Sequence, residues 1–196
     1  MGFVHLRMHT EFSVVDGTLR IDDAVGAAAT DGQPALAITD LANLFGAVKF
    51  YTAARVAGVK PILGADVWLE PEAGAAGAAG ERQPSRLLLL VRDAQGYLNL
   101  CELSSRAWLT NVQRAQAWIK WQWLSELSDG LIALSGAHQG AVGQALLAGD
   151  VARAQELAEQ LGRLFPARFY IELQRTGWPQ HEAHVRAAVP LAARLS

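Results

Sequence analysis

Cys101 is the only cysteine among the 196 residues of this chain. A single thiol excludes an internal disulfide and any cysteine-rich zinc module, and it fits a reducing, cytoplasmic setting. Charge is also scarce: 17 basic against 19 acidic residues leave a net charge of -2. No basic face for a nucleic-acid backbone emerges, so this chain is not expected to grip DNA directly. Long apolar runs are missing too. The longest aliphatic run, Leu87 to Val91, is far too short to span a bilayer, and the N-terminus has no stretch of secretory length. A soluble protein without a membrane partner is the expectation. Ser135 is not in a G-x-S-x-G elbow, and no glycine-rich phosphate loop of either standard type occurs.

What is present is a hydrophobic content of 51%, enough for one domain with a real core. Short aliphatic runs alternate with amphipathic segments. Strands are expected over 3–9, 34–40, 60–69, 86–91, 130–135 and 168–174. Helical spacing over 43–57 joins Leu44, Ala47, Val48, Tyr51 and Ala54, with Gly58 as a stop. Over 150–165, Asp150 can cap a helix whose face carries Ala154, Leu157, Ala158, Leu161 and Leu164. A further helix is expected over 180–194. Repeated strand-then-helix order argues an α/β fold with a parallel sheet, either an incomplete barrel or an open doubly wound sheet. Residues 71–85, rich in Gly and Ala, read as a surface loop. Trp118, Trp121 and Trp123 read as packing or loop-anchoring residues, since no basic cluster accompanies them for base stacking.

Candidate chemistry begins at "FVHLRMHTEFSVVDG", residues 3 to 17. Strand alternation would put His5, Arg7 and His9 on one face, with a cation where a metal ligand could sit. An intact metal site, a damaged one and a plain surface strand are all open at this point. Asp40, Asp66 and Glu172 fall at or near strand ends, where functional residues of parallel α/β folds gather, and Asp16 follows the first strand. The turn Ser135–Gly136–Ala137–His138 follows another. A divalent ion would need several of His5, His9, Asp16, Asp40, Asp66 and Glu172 on one rim. Against this stand Arg7 and Arg86, which cannot ligate and repel a cation, but can pair with carboxylates. His181 and His184 are three apart on a helix, lack the H-E-x-x-H spacing, and read as solvent-exposed.

The segments "HLRMHTEFSVVDG", "PALAITDLANLFGAVKFY" and "AGVKPILGADVWL" resemble the polymerase-and-histidinol-phosphatase (PHP) domain at the N-terminus of bacterial replicative DNA polymerase III alpha subunits. The likeness continues through "LLLLVRDAQGYLNLCELSS", "DGLIALSG" and "FYIELQRTG" and covers nearly the whole chain in order. It implies a PHP-type seven-stranded (β/α) barrel in a single domain over 1–196, here lacking its last strand and Asp-x-His motif because the chain is a fragment. The parent's nucleotidyl-transfer residues and its magnesium would lie in the absent polymerase domains, so no residue here is expected to be catalytic.

Carried over position by position, the resemblance implies a degenerate metal site. Of His-x-His-Thr only His9 remains, because Arg7 stands at the first histidine. Asp16, Asp40 and Asp66 are relic rim positions. Leu41 replaces a histidine in "TDL", Arg86 replaces the histidine before the "LLLL" strand, and Ala137 replaces the cysteine after "LSG". No bound metal is therefore expected; instead Arg7 and Arg86 would pair with Asp16 and Asp66. The implied role is structural and partner-docking, the partners being the rest of the polymerase and the proofreading exonuclease subunit, with DNA reached only through the parent. The alternative is an active metal-dependent phosphoesterase or 3′–5′ exonuclease/pyrophosphatase of the PHP family.

Overall fold

The computed structural model describes residues 2–71 and 83–195. Seven strands and seven α-helices are formed among them, in the order α1 (Ile21–Thr30), β1 (Ala35–Ile38), α2 (Ala47–Val56), β2 (Lys60–Leu69), β3 (Ser85–Val91), α3 (Ala94–Thr110), β4 (Val112–Gln113), β5 (Gln116–Ile119), α4 (Trp121–Leu127), β6 (Leu131–Leu134), α5 (Ala141–Leu147), α6 (Val151–Leu164), β7 (Phe169–Tyr170) and α7 (Pro179–Leu195). The strands make one open α/β sheet in the order β4-β5-β2-β3-β6-β7, with β1 also paired to β2.

Burial on both faces explains the continuous aliphatic strands. In β3, Leu87 and Leu89 turn toward a large core completed by Leu100 and Leu103 of α3, Leu124 of α4 and Leu157 and Leu161 of α6. Leu88 and Leu90 turn the other way, onto Ala37 and Leu134. Asp66 and Leu88 are register partners, as are Trp68 and Arg86. Strand periodicity therefore puts Asp66, Trp68, Arg86 and Leu88 on this second face.

The sheet is mixed rather than parallel throughout. β3 runs antiparallel to both β2 and β6, while β1–β2, β2–β5 and β6–β7 are parallel. Leu69 at the end of β2 pairs with Ser85 at the start of β3, so the chain returns beside itself instead of crossing over a helix. Most of the loop read over 71–85 lies outside the described residues.

Two expected strands are curtailed. Segment 3–9 forms only an isolated bridge, His5 with Leu36. Ala37 N donates to His5 O and Thr39 N to Met8 O, so three steps on one side face two on the other. The extra residue interrupts the ladder as a bulge does. The strand expected over 168–174 keeps only Phe169 and Tyr170 in register with Ala133 and Leu134. Beyond them the Ser135 hydroxyl accepts from Glu172 N at 3.0 Å, ending the backbone ladder.

The helix expected from 43 starts at Ala47 because the Asn43 side chain holds a turn, donating to Phe12 O and Leu41 O and accepting from Phe45 N. Its buried face is Ala47, Phe50 and Ala54, leaving Val48 and Tyr51 exposed. The Asp150 cap forms as its sequence position requires, accepting from Arg153 N at 3.0 Å. Asp150→Ala is expected to cost about 1 kcal/mol, read as a shift in urea midpoint. Trp118 lies in β5, and Trp121 ties the chain after β2 by donating to Glu70 O at 2.9 Å.

A candidate functional site on the sheet rim

The reversal of β3 decides which residues meet. In a parallel sheet Arg86, at the start of its strand, would lie opposite the rim that gathers the other strands' carboxyl ends. Antiparallel pairing brings it to that rim instead, beside Asp66 of β2 and the chain leaving β6. The turn after β6 is drawn close: Gly140 bridges to Arg86, and Gly136 has a φ of 77°. Arg86 lies with its guanidinium 3.8 Å over the Trp68 ring.

At the centre is Asp66, fully buried. Its Oδ2 accepts from Arg7 Nη1, and it lies 3.2 Å from both Arg86 Nη1 and His9 Nε2. Neither of those two nitrogens completes a hydrogen bond, and neither does Asp66 Oδ1. Arg7 spans to Glu172 with a two-pronged grip, Nε–Oε1 at 2.7 Å and Nη2–Oε2 at 2.9 Å. Asp16 is held by the Ser13 hydroxyl at 2.7 Å and lies 3.0 Å from His9 Nδ1 and 3.6 Å from Arg86 Nη2. Arg7 thus pairs with Asp66 and Glu172, whereas Arg86 faces Asp66 and Asp16.

The remaining predicted residues fall in different places. Asp40, buried, accepts from Thr10 N at 2.5 Å and from the Thr10 hydroxyl at 2.8 Å, which anchors the loop after the first segment. His5 is exposed and packs edge-on to Phe3, outside the cluster. Leu41 and Ala137 are buried apolar residues. His184, read as solvent-exposed, is buried on α7. Its place in the stripe His184, Ala188, Leu191 could have signalled this. The pairing expected of Arg7, with Asp16 and Asp66, omits Glu172, which lies 165 positions away in the sequence.

The electrostatics follow from this packing. Burial opposes the Arg7 charge, but hydrogen bonds and charge from Glu172 and Asp66 outweigh it and raise its pKa. Burial likewise opposes charge on His9, and Asp66 with Asp16 reverses the balance and raises it. Burial would raise Asp16, but the Ser13 hydroxyl, His9 and Arg86 bring it below the ordinary carboxylate value. Burial raises Asp40 in spite of the Thr10 hydrogen bonds. Burial, with Arg7 adding to it, lowers Arg86 against the pull of Asp66 and Asp16.

A metal cage needs convergent lone pairs, and the donor chemistry here does not fit one. Guanidinium groups, which have no lone pair to give, crowd the central carboxylate. Among the described residues no three His, Cys, Asp or Glu side chains are placed to hold a metal ion. No helix among them is long and apolar enough to cross a membrane.

The chain is 46% identical over its whole length to a DNA polymerase III subunit alpha of Pseudomonas aeruginosa. It is 43% identical over 190 residues to that of Escherichia coli K12, covering 97% of this chain. In each case the chain spans only 16% of the relative's length. Among solved structures, a putative metal-dependent phosphoesterase from Bifidobacterium adolescentis aligns over 96% of this chain and 84% of its own, with a TM-score of 0.48 and 15% identity. Residues 5–176 match the PHP domain, and the chain belongs to that family.

Proposed function

We propose that this chain is the PHP domain of a bacterial replicative DNA polymerase alpha subunit, kept as a structural and partner-docking domain around a disused metal site. The observation that carries this reading is the placement of Arg7 and Arg86 on Asp66, where positive charge belongs to protein side chains. Asp16 and Glu172 complete a network that ties segment 7–16 to β2, β3 and the chain after β7. In this reading polymerisation, with its magnesium, is carried out by other domains of the parent. The docked partner is the proofreading exonuclease subunit, and the setting is the cytoplasm. His9, Asp16, Asp66 and Glu172 are residues an active phosphoesterase would also use, so the competing reading is tested directly.

Thermal melting with and without EDTA is expected to coincide, and added manganese or zinc is expected to leave the midpoint unchanged. A metal bound at a hundred times its Kd would add about 2.7 kcal/mol, several degrees for a domain of this size. A midpoint that falls on chelation, or metal-dependent hydrolysis of a phosphodiester, would overturn the disused-site reading. Pull-down with the cognate exonuclease subunit is expected to recover it, and an empty pull-down would remove the docking role.

A further inference from the structure

The sequence places histidines in a second group outside the network. His138 sits in the short turn Ala137–Gln139 after β6, and His181 and His184 lie three apart on α7. The His138 and His181 rings are 4.4 Å apart between centroids, tilted by 46°. His138 Nδ1 is buried without a hydrogen-bond partner. His184 occupies a core position of α7, in line with Ala188 and Leu191, and is 1% exposed. An imidazole is tolerated there while neutral, because burying an uncompensated charge is costly.

The surroundings offer little to a second or third positive charge. α5, which packs on this part of α7, carries no titratable side chain in Ala141–Leu147. The turn contributes only His138 itself. Among the described residues Glu172 is the one carboxylate acting on both His138 and His184, and it is already held by both prongs of Arg7. Arg7 opposes charge on His138, and His181 opposes it on both. His181 Nδ1 is engaged with the Thr176 hydroxyl at 2.8 Å, and Glu182 on the same turn is taken by Arg175.

We propose that His138 and His184 make the docking of α7 acid-sensitive, holding the helix against the 137–139 turn when neutral and loosening it when protonated. The direction is set by burial, which lowers both His184 and His138. A histidine lowered on folding gives stability that is full above its unfolded value of about 6.5 and is lost as pH falls through the folded value. His9, raised by its carboxylates, works with the opposite sign, so a whole-protein melting curve would mix the two.

The test is therefore local. Hydrogen exchange of the protein is followed by mass spectrometry at pH 7.5 and 5.5, corrected for intrinsic rates, with α1 as the internal reference. Protection of α7 is expected to fall several-fold relative to α1 at the lower pH, because protonation is disfavoured only while the helix is docked. His184→Leu, which completes the apolar stripe, is expected to reduce that fall. Unchanged relative protection in the unsubstituted protein, or an undiminished fall in a folded H184L, would overturn the proposal. NMR titration of the unsubstituted protein gives a reading that needs no variant. His138 and His184 titrating at or above the ordinary histidine value would equally overturn it.

Discussion

Asp66→Ala is expected to destabilise the protein by about 3–5 kcal/mol in urea unfolding, the range for breaking a buried charge network on one side. The carboxylate is fully buried within β2, and its Oδ2 is the point on which Arg7, Arg86 and His9 converge. Removing it leaves three nitrogen-bearing groups facing one another, with Asp16 and Glu172 only at the periphery. Arg86 is the most affected, since two of its three nitrogens already lack hydrogen-bond partners. Asp66→Asn keeps an acceptor oxygen without the charge and is expected to fall between wild type and alanine. A loss below about 1 kcal/mol for the alanine variant, the value of an exposed ion pair, would show that solvent screens the cluster.

Gly140→Ala is expected to cost about 3 kcal/mol or more, from a different cause. A Cβ there would lie 1.6 Å from Ser135 O and 3.1 Å from Arg86 O. Both are backbone atoms, so no side chain can swing aside, and the turn must open or β3 must move. Its neighbour Gly136 is similarly confined, with Arg86 O at 2.3 Å and a φ of 77°. Opening this turn also shifts Arg86, so the change reaches the charge network without touching a charge. Equilibrium unfolding would measure the loss, and a variant within 1 kcal/mol of wild type would contradict the close approach.

The sequence made some of this legible for physical reasons. β2 was readable over its full length because its apolar run is bounded by Gly58 and the glycine-rich segment after it. His9, Asp16 and Asp66 do come together, since all three lie near the rim of one sheet face. Strand direction was not readable: "LLLL" buries both faces equally well either way, so the reversal of β3 left no mark in the residue pattern. The β4–β5 hairpin was hidden because Arg114 and Ala115, with φ of 50° and 65°, occupy a turn where Asn-Gly would be the usual signal. His184 was misread because a polar residue was weighed by its type rather than by its place in the stripe.

The Arg7–Glu172 pair has a kinetic consequence. Its members are 165 positions apart, among the longest loops this chain can close. Loop-closure entropy grows with separation, by about 0.6 kcal/mol for each doubling of length, so contacts of this kind form after local ones have shortened the effective loop. The first segment must therefore wait for the last strand before Arg7 finds its second carboxylate. Its grip acts as a latch on the finished domain, slowing escape from the native state more than it speeds arrival there.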